Sequence, residues 1–408
     1  MTGMLQGYPG IELPNGEEIG LMDITDPVTP IDVGVMSGMQ IAGSFGMDFK
    51  NALMGGDFTT NPWSRGVTFA AIANTLTYTA DRFFAVGGAS SSIGVSRQAV
   101  AAGAISSRGD RFGQALRFGR TAANANTSEI FLGQVLETAH SLPLQGRRVA
   151  LSFVTRAGAN FSAAGSLLNV RVVTGTGTDE SAANAVAGTW TGYRNNQMAI
   201  PVNGVRNVGG GAAGNPSGID AAVLLTNVVG VPLTTGYTRY YLTCAIPANA
   251  TQVGLLFSYV PVGTAGAADH IEITGIQLEP CSDRFPFPSP FEYRKAALES
   301  LLCGRYCQSF PEPAAAVAIA PGQATGAAAQ KFGIPLFPPM RIAPTMTIPT
   351  AGTFRANVAG TPTAVTLAAA TSSRTCGNLT GNATNTAGQA IFLEGNGGTG
   401  LIVASAEL

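Results

Sequence analysis

The sequence predicts a mainly β protein: a large antiparallel β-sandwich, a short connector helix and a second, smaller C-terminal β-sandwich. Three observations predict it. Charged residues make up only 12% of the 408 positions, about half the ~25% of ordinary soluble proteins, so charge-laced surface helices are scarce. The 52 glycines and 24 prolines supply turn residues in quantity. Apolar β-formers recur with a period of two in short runs separated by Gly, Asn and Ser clusters.

A chain of this length exceeds what one core usually serves, so more than one domain is expected. Residues 1–56 form the first segment. They mix turn signals (Pro14-Asn15-Gly16, Asp26-Pro27) with brief apolar patches and crowd together Met4, Met22, Met36, Met39, Met47 and Met54. With no evident core of its own, this acidic stretch reads as a docking arm that gains structure on a partner, its methionines filling irregular contacts.

Residues 57–293 form the large sandwich. In Val149-Ala150-Leu151-Ser152-Phe153-Val154, large apolar side chains alternate toward a core while Ser152 points the other way. His270-Ile271-Glu272-Ile273-Thr274-Gly275-Ile276-Gln277-Leu278 repeats the pattern, and residues 168–173, 239–244 and 253–259 continue it; all read as half-buried strands. Residues 294–310 break the period, because Leu298, Leu301, Leu302 and Arg305 fall at helical spacing between Pro286 and Pro288 on one side and Pro311 and Pro313 on the other. Residues 311–408 hold only seven charged side chains and return to strand spacing at 346–348, 364–367, 390–393 and 401–404.

Charge and composition narrow the function. Residues 1–60 carry eight acidic side chains against the single Lys50, while the remainder holds 22 Lys and Arg against 16 Asp and Glu with no dense basic run. Nucleic-acid binding is therefore not expected. No apolar stretch approaches the ~18 residues of a membrane span, and the start lacks the basic and apolar regions of a secretory signal, so synthesis in a cytoplasm is expected. The five scattered cysteines read as thiols rather than a disulfide framework. Cys303 and Cys307 stand four apart, but no second Cys or His pair accompanies them, so neither a metal nor another cofactor is expected.

Several stretches resemble the jelly-roll module of bacteriophage and prophage tail fibres. They are Asn61-Pro62-Trp63 through Tyr78-Thr79-Ala80-Asp81-Arg82-Phe83, the strand from Leu144 to Phe153, and Leu233-Thr234-Thr235-Gly236-Tyr237-Thr238-Arg239-Tyr240. The closing signature is more specific: Gln277-Leu278-Glu279-Pro280, then Pro288-Ser289-Pro290-Phe291-Glu292-Tyr293-Arg294 and Leu302-Cys303-Gly304-Arg305-Tyr306-Cys307-Gln308. Phe337-Pro338-Pro339-Met340-Arg341-Ile342 and the terminal Ser405-Ala406-Glu407-Leu408 resemble the small C-terminal sandwich of such fibres. Over residues 57–408 the resemblance implies a carbohydrate-binding-module-like jelly roll in a trimeric virion appendage, with host-cell glycans as partners. It leaves residues 1–56 unassigned, so docking on tail or baseplate proteins and docking on a capsid, as in a head fibre or decoration protein, both stay open.

Candidate sites follow from side-chain chemistry. Sugar recognition pairs an aromatic face with amide and guanidinium hydrogen bonding. The segment Trp190-Thr191-Gly192-Tyr193-Arg194-Asn195-Asn196-Gln197 offers this: Trp190 and Tyr193 to stack, and Arg194, Asn195, Asn196 and Gln197 to bond hydroxyls. Leu298, Leu302 and Tyr306 on the connector helix are candidates for an oligomer interface. A polysaccharide depolymerase would need converging acid and base side chains, and no such pairing is legible, so adhesion rather than catalysis is expected and no catalytic residue is assigned.

Overall fold

A computed structural model describes residues 50–88, 92–101, 104–105, 111–196, 198, 200–202, 205–207, 229–282 and 287–408, together with two short paired strands, β1 (Ile11–Glu12) and β2 (Glu18–Ile19). Apart from those strands, the expected docking arm up to residue 49 lies outside the described residues. The chain divides into two compact units, Met1–Lys50 and Asn51–Leu408. The last part of the expected arm belongs to the second unit: Asn51 Nδ2 donates to the Ile276 carbonyl at 3.1 Å and the Met54 amide donates to Gln134 Oε1 at 2.9 Å.

The structure is mainly β, with 44% strand and 8% helix. The first sandwich runs through β3 (Thr68–Ile72), β4 (Thr77–Tyr78), β5 (Phe84–Val86), β6 (Ile93–Ala99), β7 (Gln114–Arg120) and β8 (Ile130–Val135). After the short helix α1 (Thr138–Ser141) come β9 (Arg148–Ala157) and β10 (Leu167–Gly175), then α2 (Ala182–Ala187) and β11 (Arg194–Asn196). A hairpin of β12 (Ile200–Val202) and β13 (Val205–Asn207) precedes β14 (Val229–Pro232), β15 (Thr238–Ala245), β16 (Gln252–Tyr259) and β17 (His270–Cys281). One sheet has the order β15-β9-β17-β7-β6-β3 and its partner the order β11-β10-β16-β8-β5-β4, with β14 also paired to β10.

Period-two patterning builds the core between these sheets. Strand β9 sends in Val149, Leu151 and Phe153, β16 sends in Val253, Leu255 and Phe257, and β17 sends in Ile271, Ile273, Ile276 and Leu278, all fully buried. Each such side chain contributes roughly 1.5–3 kcal/mol through burial. The inward series on β17 slips by one residue between Ile273 and Ile276, where a bulge places Gly275 at φ +59°. A Cβ there would lie 2.4 Å from the Phe112 ring, so only glycine fits.

The expectation of half-buried strands is corrected on this sheet. Ser152, Thr274 and Gln277 point away from the core yet are fully buried. Segment 287–294 straps that outer face: Glu279 accepts from the Ser289 amide and hydroxyl, each at 2.7 Å, and Gln277 Oε1 accepts from the Glu292 amide at 2.7 Å. Phe291 and Phe112 meet edge-on at 5.0 Å over Val154 and close the strap with apolar contact.

The connector is realised as α3 (Ala296–Gly304), shorter than the expected 294–310. Its Glu299 is buried and accepts from the Gly55 amide, tying the helix to the first sandwich. Beyond it run β18 (Cys307–Pro311), β19 (Ala318–Gly326), β20 (Ala329–Pro335), β21 (Thr345–Thr350), β22 (Arg355–Val358), β23 (Thr361–Ala364), β24 (Leu367–Ala369), β25 (Cys376–Gly381), β26 (Ala390–Glu394) and β27 (Leu401–Ser405). They form a three-stranded sheet, β18-β27-β21, and a seven-stranded sheet, β23-β22-β26-β19-β20-β25-β24.

The single strand expected over residues 364–367 is instead the join between β23 and β24, the two edges of the seven-stranded sheet. A flat sheet would separate those edges by about 29 Å, six strand spacings. The three Cα steps from Ala364 to Leu367 reach at most about 11 Å. The sheet therefore curls to bring these two strand ends near each other, around a core of Phe332, Ile334, Leu379, Ile391 and Leu393.

Candidate functional site

The expected sugar-binding segment is an internal feature. Trp190 is only 3% exposed; its ring packs with Phe84, Val135, Val173 and Leu256, and its Nε1 donates to the Ser181 carbonyl at 2.9 Å. The cause is local. Ser181 caps α2 by accepting from the Asn184 amide, and left-handed Gly188 ends the helix. The chain then folds Trp190 over the sheet as a lid on α2. Asn195 and Asn196 are buried as well, and Asn196 Nδ2 donates to the Val172 carbonyl and to Thr174 Oγ1, each at 3.1 Å. Trp190, Asn195 and Asn196 are thus placed where no ligand can stack or bond, which corrects the expectation for them. Tyr193 and Arg194 are half-buried, the former against the Trp190 cluster, and Gln197 lies outside the described residues.

Tyr306, expected at an oligomer interface, is also corrected: it is fully buried beside Met54 and Cys303. Leu298 and Leu302 are half-buried, whereas Leu301 is exposed.

The surface that does present chemistry lies on the outer face of the β15-β9-β17-β7-β6-β3 sheet, beside the strap, whose Phe112–Phe291 cluster packs against Tyr237. Strand register aligns Arg156 of β9, Glu272 of β17 and Arg117 of β7 in one row across three strands. Arg117 donates to Glu272 Oε1 from Nε at 3.1 Å and from Nη2 at 2.7 Å. Arg156 reaches Oε2 from Nε at 2.9 Å and from Nη2 at 2.8 Å. The Tyr237 hydroxyl donates to the same Oε2 at 2.5 Å, and its ring lies 4.6 Å from the Arg156 guanidinium. The Glu272 side chain is 1% exposed, yet both arginine side chains are 38% exposed.

One row further along the sheet, His270 pairs in register with Gly119, and Gly119 with Gly94, while the Gly158 amide donates to the His270 carbonyl at 2.8 Å. A Cβ at Gly158 would lie 2.9 Å from the imidazole and one at Gly119 would lie 2.4 Å from the His270 Cβ. The glycines leave room for the imidazole to lie against the neighbouring strands, with its Nε2 3.7 Å from Glu272 Oε1.

The electrostatics of the row are set by these contacts. Burial alone raises the Glu272 carboxyl, but the donors Tyr237, Arg117 and Arg156 outweigh it and hold the group below its ordinary range. Burial and the nearby Arg117 lower His270, so its imidazole is neutral at neutral pH. Burial and the bond to Glu272 raise Tyr237, which stays a phenol and a donor. The row therefore carries two guanidinium charges against one carboxylate. Its sequence signal was a lone charge at the outward position of three apolar strands, Leu116-Arg117-Phe118, Thr155-Arg156-Ala157 and Ile271-Glu272-Ile273. Only the register shows that they meet.

Fold and site together define a double β-sandwich protein with a partly exposed polar row on one sheet face, beside the part that the strap covers. No protein-family model matches the chain, and no curated protein matches it. Among solved structures it is similar to the enzymatically active domain of tailspike protein 4 of bacteriophage CBA120, at 10% identity and a TM-score of 0.28 over 57% of this chain. The match spans 22% of that tailspike chain. It is also similar to the tandem CBM22-1–CBM22-2 domain of Paenibacillus barcinonensis Xyn10C, at 11% identity and a TM-score of 0.27 over 82% of this chain and 99% of that one. The K1 cleaved adhesin domain of Lys-gingipain from Porphyromonas gingivalis matches at 10% identity and a TM-score of 0.23, over 53% and 99% of the two chains. Similarities this low assign the chain to no family.

Proposed function

We propose that this protein is a virion attachment protein of the tail-fibre class that binds host-surface glycan along the open row of the first sandwich. The observation that carries the proposal is the row Tyr237–Arg156–Glu272–Arg117, whose two arginines stay partly exposed on a sheet face that the strap covers in part. An aromatic ring, guanidinium donors and a low imidazole are the groups that recognise sugar hydroxyls and rings. Glu272 is saturated by three donor side chains and held ionised, which suits it to fixing the arginines rather than to giving up a proton. The resemblance of residues 57–408 to tail-fibre modules supplies the virion setting. Assembly as a homotrimer, docked through the N-terminal segment on tail or baseplate proteins, belongs to the same proposal. Several copies per particle would raise weak single-site binding by avidity.

The test applies the full-length protein to a panel of bacterial surface polysaccharides, alongside an Arg117→Gln/Arg156→Gln/Tyr237→Ala variant of matched melting temperature. Binding that the variant loses is expected, with the polysaccharide chain length unchanged after incubation. Binding to none of the panel overturns the proposal, and shortened polysaccharide replaces it with a depolymerase.

A further inference from the structure

We infer that the glycan taken by the open row is an acidic one, whose carboxylate is held by the partly exposed guanidinium groups of Arg117 and Arg156. The inference rests on the binding role proposed above and specifies its ligand.

Each arginine spends Nε and Nη2 on Glu272, so the Nη1 of each points away from that carboxylate. Both side chains are 38% exposed, so each arginine keeps surface open to solvent beside its bonds to Glu272. The two strands that carry them flank β17, which sets their Cα atoms about 10 Å apart, two strand spacings. The two side chains reach the shared Glu272 from opposite sides, one to each of its oxygens, so their remaining donors flank that carboxylate. Glu272 cancels one of the two positive charges. The nearest other acid on β17's flank, Asp269, is fully buried and committed to Arg120 at 2.7 Å, so among the described residues the row keeps a positive surplus.

A planar guanidinium favours a planar carboxylate, to which it donates two parallel bonds. Here Glu272 and the Tyr237 ring hold the Arg156 fork in place, so less side-chain freedom is lost when the ligand arrives. His270, its side chain 15% exposed, stands one row along, where the next sugar of a chain would extend.

The experiment titrates the full-length protein with an oligogalacturonate, with the same oligosaccharide methyl-esterified, and with a phosphorylated oligosaccharide. The acid form is expected to bind at least about tenfold more tightly than its ester, with affinity falling as salt rises. Arg117→Gln and Arg156→Gln should each remove that preference, and Arg117→Lys/Arg156→Lys should restore it only in part, because an ammonium keeps charge but not the fork. Melting curves identify any variant that has lost its fold, and the lysine pair then carries the comparison. Equal affinity for acid and ester, or acid binding that survives both glutamine changes, overturns the inference while leaving a neutral-glycan role standing. Arginine-dependent binding of the phosphorylated sugar without binding of the uronate also overturns it. If no glycan, charged or neutral, binds the row in this or the wider panel, the proposed function falls with it.

Discussion

The guanidinium carbon of Arg82 sits 3.6 Å from the centroid of the Tyr306 ring, deep between the two sandwiches. Arg82 is 1% exposed, pairs with Glu407 near the end of the chain and donates to the Val135 carbonyl at 2.7 Å. Glu407 also pairs with Arg65 at 3.2 Å. Around this centre the Tyr78 hydroxyl donates to the Leu408 carbonyl at 2.7 Å, Arg305 pairs with Glu137 at 3.0 Å, and Arg341 with Asp179 at 3.1 Å. The tail Ala406-Glu407-Leu408 thus bolts the second sandwich to the first.

Removing one partner of such a pair strands a buried charge. Glu407→Ala should destabilise the protein by about 3–5 kcal/mol. Chemical denaturation of wild type and variant measures this, and a difference under about 1 kcal/mol would show that the seam does not depend on the ion pair.

Arg120 performs a comparable task at the end of β7. It is fully engaged: Nε pairs with Asp269 at 2.7 Å, and Nη1 donates to the carbonyls of Asn124, Asn126 and Gly263 at 2.8 to 3.0 Å. Arg120→Met should cost about 3–5 kcal/mol by leaving Asp269 unpaired. Limited proteolysis should then cut near residues 121–126 or 263–268 sooner than in wild type; an unchanged pattern and stability would refute the clamp.

Glu312 gathers the loops of the second sandwich. Its carboxylate accepts from the Thr353 hydroxyl at 2.7 Å and from the amides of Thr353, Asn396 and Gly400, each at 3.0 Å. Burial acts to raise its pKa, but these donors outweigh it and hold it at about 2 against an ordinary 4.5. Because the folded value is depressed, the stabilisation is complete above pH 4.5 and is lost as pH falls through about 2. Glu312→Gln should lower stability at pH 7 by about 1–3 kcal/mol and converge with wild type near pH 2. Parallel stability curves over that range would remove the carboxylate from this role.

Trp190 separates the two candidate sugar surfaces. Trp190→Ala should cost about 3–5 kcal/mol, as for other buried large-to-small changes, while glycan affinity of the folded variant stays within about twofold. Calorimetry paired with the binding titration gives both values, and a selective loss of binding at unchanged stability would return the site to Trp190.

Much of the fold was legible because a strand writes its burial into alternate residues. The runs 149–154, 168–173, 239–244, 253–259 and 270–278 all lie within strands of the first sandwich, and 346–348, 390–393 and 401–404 within strands of the second. The helix between them followed from the leucines at helical spacing. The errors of burial share a cause: outward-facing residues such as Ser152 and aromatics such as Trp190 carry no local mark of what later covers them.

By itself, the sequence determined the β class, the order of the elements and the position of the connector, since backbone period and turn chemistry are local properties. Which outward faces were strapped and which stayed open was decided only by tertiary structure. Arg117, Glu272 and Arg156 lie 39 to 155 positions apart in the chain. Strand register alone brings them into contact, because a shift of a single residue would turn each of them to the opposite side of the sheet.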